Sequence, residues 1–356
     1  MKNYVNRAFI CLLLTSLVFV SCQKDFETIE HVATNDANIK VLHYTNANSR
    51  GGDTSILEFR DMESFRATLT QLEQDVEKHD DDFIALYGYL DEEAINAKDE
   101  EIGFDDTKPL KDFENSLGFK SLLEDYQAVE RIWLHQEELD EETAPEKQFY
   151  DLDEEELTLL NKDRAVKIGN SIFVQMHGGI VEITSGSFET LGRIAYYDNV
   201  NDIIADDYDD VNVNYDNDNS STSCHSNQVH RTNWTYNGQS DRRIRGITKL
   251  YSMHTLWKTK IKCKTKSMKR TWYGVWRGYR TNLSAALDGD YAYGQDSTCG
   301  ENIWHFYENI HRKDRTYKKK AKYVKDFDQA YKLYIEPGKL EGIHTVYSQR
   351  ETQDVY

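Results

Sequence analysis

The sequence predicts an α+β protein with two units: an acidic N-terminal domain of helices with a small antiparallel meander, and a basic, β-sandwich-like C-terminal domain. Three observations predict this class. The formal charge is −33 over residues 22–224 and +12 over residues 225–356, which indicates two differently designed modules. Apolar residues recur at helical spacing early in the chain. Residues 257–265 instead alternate with the two-residue period of a strand.

Residues 1–21 have the features of a secretory signal. Lys2 and Arg7 precede an apolar run that is too short for a transmembrane helix of about 20 residues. The ending, residues 19–22 (Phe-Val-Ser-Cys), resembles the lipobox of bacterial lipoproteins. That resemblance implies that Cys22 is lipidated and becomes the mature N-terminus. We therefore expect an outer-membrane protein anchored by lipid and facing the cell surface.

The residues after Cys22 resemble the lysine-plus-acidic export signal of surface lipoproteins from Bacteroidota; they are Gln23, Lys24, Asp25 and Glu27. Segments 59–72, 118–122, 156–161, 166–173 and 258–276 also resemble a group of uncharacterised Bacteroidota lipoproteins. In that group a leucine-rich segment ending in Asn precedes a short hairpin, and a lysine-rich strand precedes a Trp strand. The group has no established activity, so the resemblance implies a location and no functional residues.

The N-terminal part divides into a tether and a domain. Residues 22–54 are polar and end in a Gly/Asn-rich run, which predicts a flexible tether. In residues 55–197, Asp61 precedes apolar residues at the 4, 3, 4 spacing of one helical face, which predicts a helix. From residue 165 short β-branched runs separated by Gly-containing turns predict the meander.

The C-terminal part begins after a boundary. Residues 198–223 are rich in Asp and Asn and have few core-forming residues, which predicts an acidic linker. Residues 224–356 contain several short alternating segments between polar loops, which predict a basic all-β domain. Ser267 to Arg270 are expected to turn the chain, and Trp272 to Tyr279 to return it as a strand.

The clearest candidate for ligand binding is a stripe of alternating lysines, Lys258, Lys260, Lys262, Lys264 and Lys266. Three interpretations remain open from sequence. The stripe is a ladder for a polyanion such as an acidic glycan, a solvated face that blocks edge-to-edge aggregation, or a docking face for the acidic first domain.

Two further features bear on chemistry. Trp272 and Trp276, two positions of one predicted strand face, are candidates for stacking on sugars, although a Trp in a strand is more often part of a core. Cys224 and Cys299 lie in polar loops of an exported chain, so we expect them to pair if a disulfide forms, with Cys263 left over.

No catalytic, metal-binding or cofactor motif stands out in the sequence. We therefore expect no cofactor, no metal, no nucleic-acid role and no enzymatic activity. The leading hypothesis is a non-enzymatic binding or adhesion protein for a glycan or other polyanion. The alternative is a structural or accessory subunit of an outer-membrane complex with a surface protein as its partner. An extracellular hydrolase is the third candidate.

Overall fold

The computed structural model of the chain describes residues 29–31, 39–45, 53–204, 207–215, 228–251, 256–257, 259–294, 304–326, 332–334 and 340–354. Signal peptide residues 1–21, the predicted lipidation and export residues 22–27, Lys258, and both cysteines of the predicted disulfide lie outside these ranges. None of the described helices has the length and apolar character needed to cross a bilayer.

The N-terminal region is built on one seven-stranded sheet whose strands lie in chain order. Neighbouring strands are antiparallel except for the third and fourth, which are parallel. The strands are β1 (Ile29–His31), β2 (Ile39–Thr45), β3 (Asp53–Phe59), β4 (Ala165–Ile168), β5 (Ser171–Met176), β6 (Gly179–Ile183) and β7 (Val211–Tyr215).

Helices cover both faces of this sheet. Asp61 caps the first helix by accepting a hydrogen bond from the Ser64 backbone N–H, as the sequence predicts. The helices are α1 (Met62–Tyr87), α2 (Glu92–Ile102), α3 (Lys108–Leu117), α4 (Leu123–Trp133), α5 (Pro145–Gln148), α6 (Glu154–Leu157) and α7 (Phe188–Ile194). Side chains such as Val41 and Leu57 pack toward α1, and their neighbours Leu42 and Ile56 pack toward α7.

Two predicted boundaries of the N-terminal domain are wrong. The segment 22–54 is not a tether throughout, because β2 is buried between β1 and β3. Both faces of β2 have buried apolar side chains, such as Val41 on one face and Leu42 on the other, so it lacks the simple alternation of a half-buried strand. Likewise, β7 lies within the predicted linker 198–223 and pairs with β6.

The C-terminal region contains two five-stranded antiparallel sheets that share one apolar core, as the β-sandwich-like prediction expects. The first sheet contains β8 (Gln228–Thr235), β9 (Arg242–Tyr251), β10 (Lys260–Arg270), β11 (Trp276–Gly278) and β14 (Lys320–Asp326). The second contains β12 (Thr281–Gly294), β13 (Trp304–Lys318), β15 (Lys332–Tyr334), β16 (Leu340–Val346) and β17 (Gln349–Asp354).

The predicted turn after the lysine strand is displaced. β10 continues through Ser267 to Arg270, and the chain reverses over residues 271–275 before β11. Thr271 closes this turn, because its hydroxyl and backbone N–H both bond the backbone of Val275. The longer strand brings more of β10 into contact with the N-terminal domain.

Candidate functional site

The predicted lysine stripe is buried. Lys260, Lys262, Lys264 and Lys266 project from one face of β10, here called the lysine face, and the first three are at most 6% exposed. The acidic segment at the start of α6 packs against this face. A buried ammonium is stable only with close anionic partners.

Asp153 is the centre of the ion-pair network on the lysine face. Its carboxylate pairs with Lys262 and lies 3.4 Å from both Lys264 and Lys249. Lys322 on the adjacent strand β14 lies 3.7 Å away. One carboxylate therefore lies within 4.0 Å of ammonium groups from three strands of the C-terminal sheet.

Neighbouring acidic residues complete this network. Glu156 pairs with Lys260, and Glu154 lies 3.4 Å from Lys264. Glu146 lies 3.6 Å from Lys266 and also accepts hydrogen bonds from both terminal nitrogens of Arg245. The covering acids therefore come from a short stretch of chain between α4 and β4.

The electrostatics of the network follow from this pairing. Burial alone would raise the pKa of Glu156, but the charges of Lys260 and Lys262 lower it to about 2. Burial would also raise the pKa of Asp153, and the surrounding lysines instead hold it well below its usual range. Burial lowers the pKa of Lys262 to about 8, despite the attraction of Asp153. Both carboxylates are therefore ionised at neutral pH.

A second set of ion pairs joins the two regions at the side of α1. The Arg280 guanidinium, fully buried, lies 2.6 Å from Asp80 and 2.5 Å from Asp99. It also lies over the Phe83 ring, 3.9 Å from the centroid. Lys318 lies 2.9 Å from Asp80. The basic C-terminal region is thus bound to the acidic helices at several points.

These contacts decide between the three interpretations of the described lysines. An exposed polyanion ladder is wrong for Lys260, Lys262, Lys264 and Lys266, because the acidic segment already occupies their face. A solvated face is wrong for the same reason. The remaining interpretation, docking of the acidic domain, is confirmed.

The two candidate tryptophans do not form a common platform. Trp276 is 1% exposed and packs with Trp133 and Met268 in a small cluster. Trp272 is 96% exposed in the turn between β10 and β11. Its ring meets Tyr273 edge-on at 89°; we call these two side chains the aromatic tip. The prediction of a shared stacking face is therefore wrong, and only the aromatic tip is accessible.

Space remains between α1 and the basic strands. This interface cleft has a volume of about 520 Å³ and lies between α1, α6, β10, β13 and β14. Its apolar wall includes Leu69, Val76 and Trp257. Nine cationic and seven acidic side chains line it among the described residues. Its volume and its position between two regions are typical of ligand sites.

Three buried or half-buried charged groups in the interface cleft lack a direct ion pair within the described part of the chain. Glu155 is 5% exposed, and Lys320 is half-buried on β14. Arg66 on α1 has a buried Nε without a hydrogen-bond partner. Burial lowers the pKa of Lys320, but the negative charges of Glu154 and Glu155 raise it. Together the two carboxylates outweigh burial, so the pKa of Lys320 is above its usual value. Arg66 and Lys320 are therefore the cationic groups of the described cleft lining that have no direct ion pair.

A buried Cys–His contact in the C-terminal core lacks the features of a nucleophile. The Cys263 thiol lies 3.7 Å from His344 Nδ1, and both side chains are fully buried. Burial raises the pKa of the thiol to about 12, whereas a reactive cysteine needs thiolate character and access. Among the described residues, no group of three or more His, Cys, Asp or Glu side chains is arranged to hold a metal ion.

Sequence reasoning found the lysines but missed their partners. Asp153 and Glu155 were not singled out, because acidic side chains are abundant throughout the first domain. The available signal was complementary charge. Residues 151–160 combine Asp and Glu with leucines, and residues 258–266 have a lysine at every second position. That signal indicates that the two segments pair, but it does not identify which acidic residue contacts which lysine.

Comparisons with known proteins leave the family open. No family model matches this chain, and no curated protein matches it. A solved structure of a DUF4848 family protein from Bacteroides thetaiotaomicron aligns with 84% of this chain and 96% of its own, at 14% identity and a TM-score of 0.18. A likeness of this size supports no conclusion about function. The resemblance to Bacteroidota lipoproteins, the lipobox and the export signal therefore stay predictions.

Proposed function

We propose that this protein is a lipid-anchored cell-surface binding protein that holds an acidic oligosaccharide in the interface cleft without catalysing a reaction. The observation that carries this proposal is the cleft itself, with cationic groups in excess and with Arg66 and Lys320 outside the ion-pair network. The lipobox ending at Cys22 supports the surface location. The lysine face contributes by forming a wall of the cleft.

The chemistry of the lining fits an acidic sugar. Charge-assisted hydrogen bonds from Arg66 and Lys320 would bind a carboxylate or sulfate group. Acidic side chains such as Glu155 accept hydrogen bonds from hydroxyl groups. The apolar wall at Leu69 and Val76 contacts the less polar face of a ring. Only a short segment fits, because acidic residues of α5 and α6 already contact the lysine face.

Binding to acidic and neutral oligosaccharide arrays, at low and physiological salt, tests the proposal on the mature chain. We expect acidic members to bind in a salt-sensitive manner. The double variant Arg66→Gln/Lys320→Gln should weaken binding at least about tenfold, since each lost charge-assisted contact contributes about 1.5–3 kcal/mol.

The matched control is Lys78→Gln on α1, whose side chain is exposed and pairs with Asp82 of the same helix. It should bind like the unmodified protein. Equal binding of neutral and acidic members, or full binding by the Arg66/Lys320 double variant, would contradict the proposal.

The aromatic tip favours a second candidate, an accessory subunit of a surface complex. Exposed Trp and Tyr side chains are enriched among residues that dominate protein interfaces. Under this alternative Trp272→Ala should abolish cross-linking to a partner protein in intact membranes, while oligosaccharide binding is unchanged. Cross-linking that persists in Trp272→Ala would remove this candidate.

A further inference from the structure

A second cleft lies entirely within the N-terminal region, remote in sequence from the lysine face. It has a volume of about 700 Å³ and lies between β2 and β3, the start of α4, residues 148–150 and the loop before β4. Lys120, Lys162 and Arg164 line it, whereas Asp125 is the one acidic side chain among its described lining residues. We call it the basic cleft. Its charge is opposite to that of the acidic domain around it.

Arg164 is built into the floor of the basic cleft. Its side chain is 2% exposed, and its terminal nitrogens donate to Asp198 at 3.2 Å and to the carbonyls of Ala195 and Tyr197. Its Nε is buried and has no hydrogen-bond partner. Leaving a donor of a buried guanidinium unsatisfied is costly. A ligand acceptor at this position would satisfy it.

The backbone around the basic cleft is held in an uncommon conformation. Arg164 has φ 65°, and the consecutive residues Tyr150 and Asp151 both have φ 59°. Non-glycine residues in this left-handed region are strained, and such residues cluster at functional sites. The Tyr150 hydroxyl lies 3.4 Å from Arg164 Nη1. Two residues with this strained backbone, Tyr150 and Arg164, therefore line the same cleft.

The C-terminal sheet holds this strained turn in place. The Asp151 carbonyl accepts hydrogen bonds from Lys249 Nζ at 2.6 Å and from the Tyr251 hydroxyl, both on β9. Asp151 adjoins Tyr150 in the wall of the basic cleft. Docking of the basic sheet thus fixes the shape of a cleft that the sheet itself does not line.

We propose that the basic cleft is a binding site for a small carboxylate ligand. Lys120 supplies charge at the mouth together with Lys162, whose ammonium also lies 2.7 Å from Asp125. The buried Arg164 side chain at the floor has an Nε donor without a partner. The Tyr150 hydroxyl and the Gln148 amide are further polar groups of the lining. Tyr251 is a positioning residue that acts through Asp151. This proposal does not rest on the interface cleft.

The probes are glucuronate, N-acetylglycine and glucose, titrated into the full mature chain by calorimetry. Glucuronate should bind and glucose should not, because only the former has a carboxylate. Binding of N-acetylglycine with similar affinity would support a general carboxylate site, and its failure would support a sugar acid. Failure of both carboxylates to bind at millimolar concentration would overturn the proposal.

Variants locate the binding in the basic cleft. Lys120→Gln/Lys162→Gln should weaken carboxylate binding at least about tenfold, and both positions are accessible enough to leave the fold intact. Lys98→Gln, a lysine of α2 outside the cleft, is the control. Unchanged affinity in the double variant would overturn the proposal. The Arg66/Lys320 variant should bind these probes normally, which separates this result from that of the interface cleft.

Tyr251→Phe tests the positioning role. The variant keeps the ring but loses the hydrogen bond to the Asp151 carbonyl, so affinity should fall about threefold to tenfold with little change in the thermal midpoint. Tyr273→Phe in the aromatic tip is the matched control and should have no effect. Loss of stability without loss of affinity would show that Tyr251 is only structural.

Discussion

The lysine face and the aromatic tip belong to the same hairpin, and their environments are the reverse of what their residue types suggest. The lysines of β10 are buried against the acidic segment of α6, whereas Trp272, a few residues later, is almost fully exposed. The difference shows that alternation along a strand assigns side chains to faces without revealing what covers each face. Here acidic side chains cover the lysine face, and no described residue covers the ring of Trp272.

The largest expected effect is beside the lysine face, in Arg245→Met on the neighbouring strand β9. The guanidinium is buried, binds Glu141 and Glu146, and lies over Trp133. Its loss leaves buried carboxylates undercompensated and removes packing, so we expect a loss of about 5 kcal/mol in unfolding free energy, measured by urea denaturation.

The matched control for Arg245→Met is Lys78→Met, which removes an exposed pair on α1. It should change the unfolding free energy by less than about 1 kcal/mol. Similar losses of unfolding free energy in the two variants would contradict this account. They would mean that a buried ion pair contributes no more to stability than an exposed one.

The next effect contrasts the two tryptophans of the hairpin. Trp276→Ala should destabilise the protein by about 4 kcal/mol, because it leaves a cavity against Trp133 and Met268. Trp272→Ala should stay within about 0.5 kcal/mol, because the ring is exposed. Thermal unfolding of both variants checks this. A large loss for Trp272→Ala would mean that the tip is packed rather than accessible.

A smaller effect concerns the apolar core between the two C-terminal sheets, where His344 of β16 lies. His344 is fully buried, and burial lowers its pKa to about 4, although Gln353 raises it slightly. The unfolded state, with a pKa near 6.5, therefore binds a proton that the folded state excludes. This contribution to stability is complete above about pH 6.5 and is lost as the pH falls to about 4, by about 3 kcal/mol.

Unfolding free energies between pH 7 and pH 4 test the role of His344. The variant His344→Gln should lose this part of the pH dependence while keeping the part due to buried carboxylates such as Glu156. The same slope in the variant and the unmodified protein would contradict the assignment to His344.

Local patterns predicted much of the fold. The Asp61 cap, the apolar face of α1, the meander of β4 to β6 and the alternation of β10 are all encoded by neighbouring residues. β2 was missed because a strand buried on both faces lacks a two-residue period.

The candidate site was less predictable, because its parts come together only in the tertiary structure. Asp153 and Lys262 are 109 residues apart in sequence, and local composition does not specify which acid meets which base. The basic cleft was missed for the same reason. The segment from Asn161 to Arg164 is not unusual in sequence, and only the fold reveals its strained backbone and buried guanidinium.

The most direct test of the central claim, that the lysine face is held by the acidic segment, is a double-mutant cycle on Asp153 and Lys262. Unfolding free energies would be measured for Asp153→Asn, Lys262→Met and the double variant. We predict a coupling energy above about 1 kcal/mol, since residues in one ion-pair network are not independent. Additivity within about 0.5 kcal/mol would contradict the account, because it would mean that the two side chains do not interact.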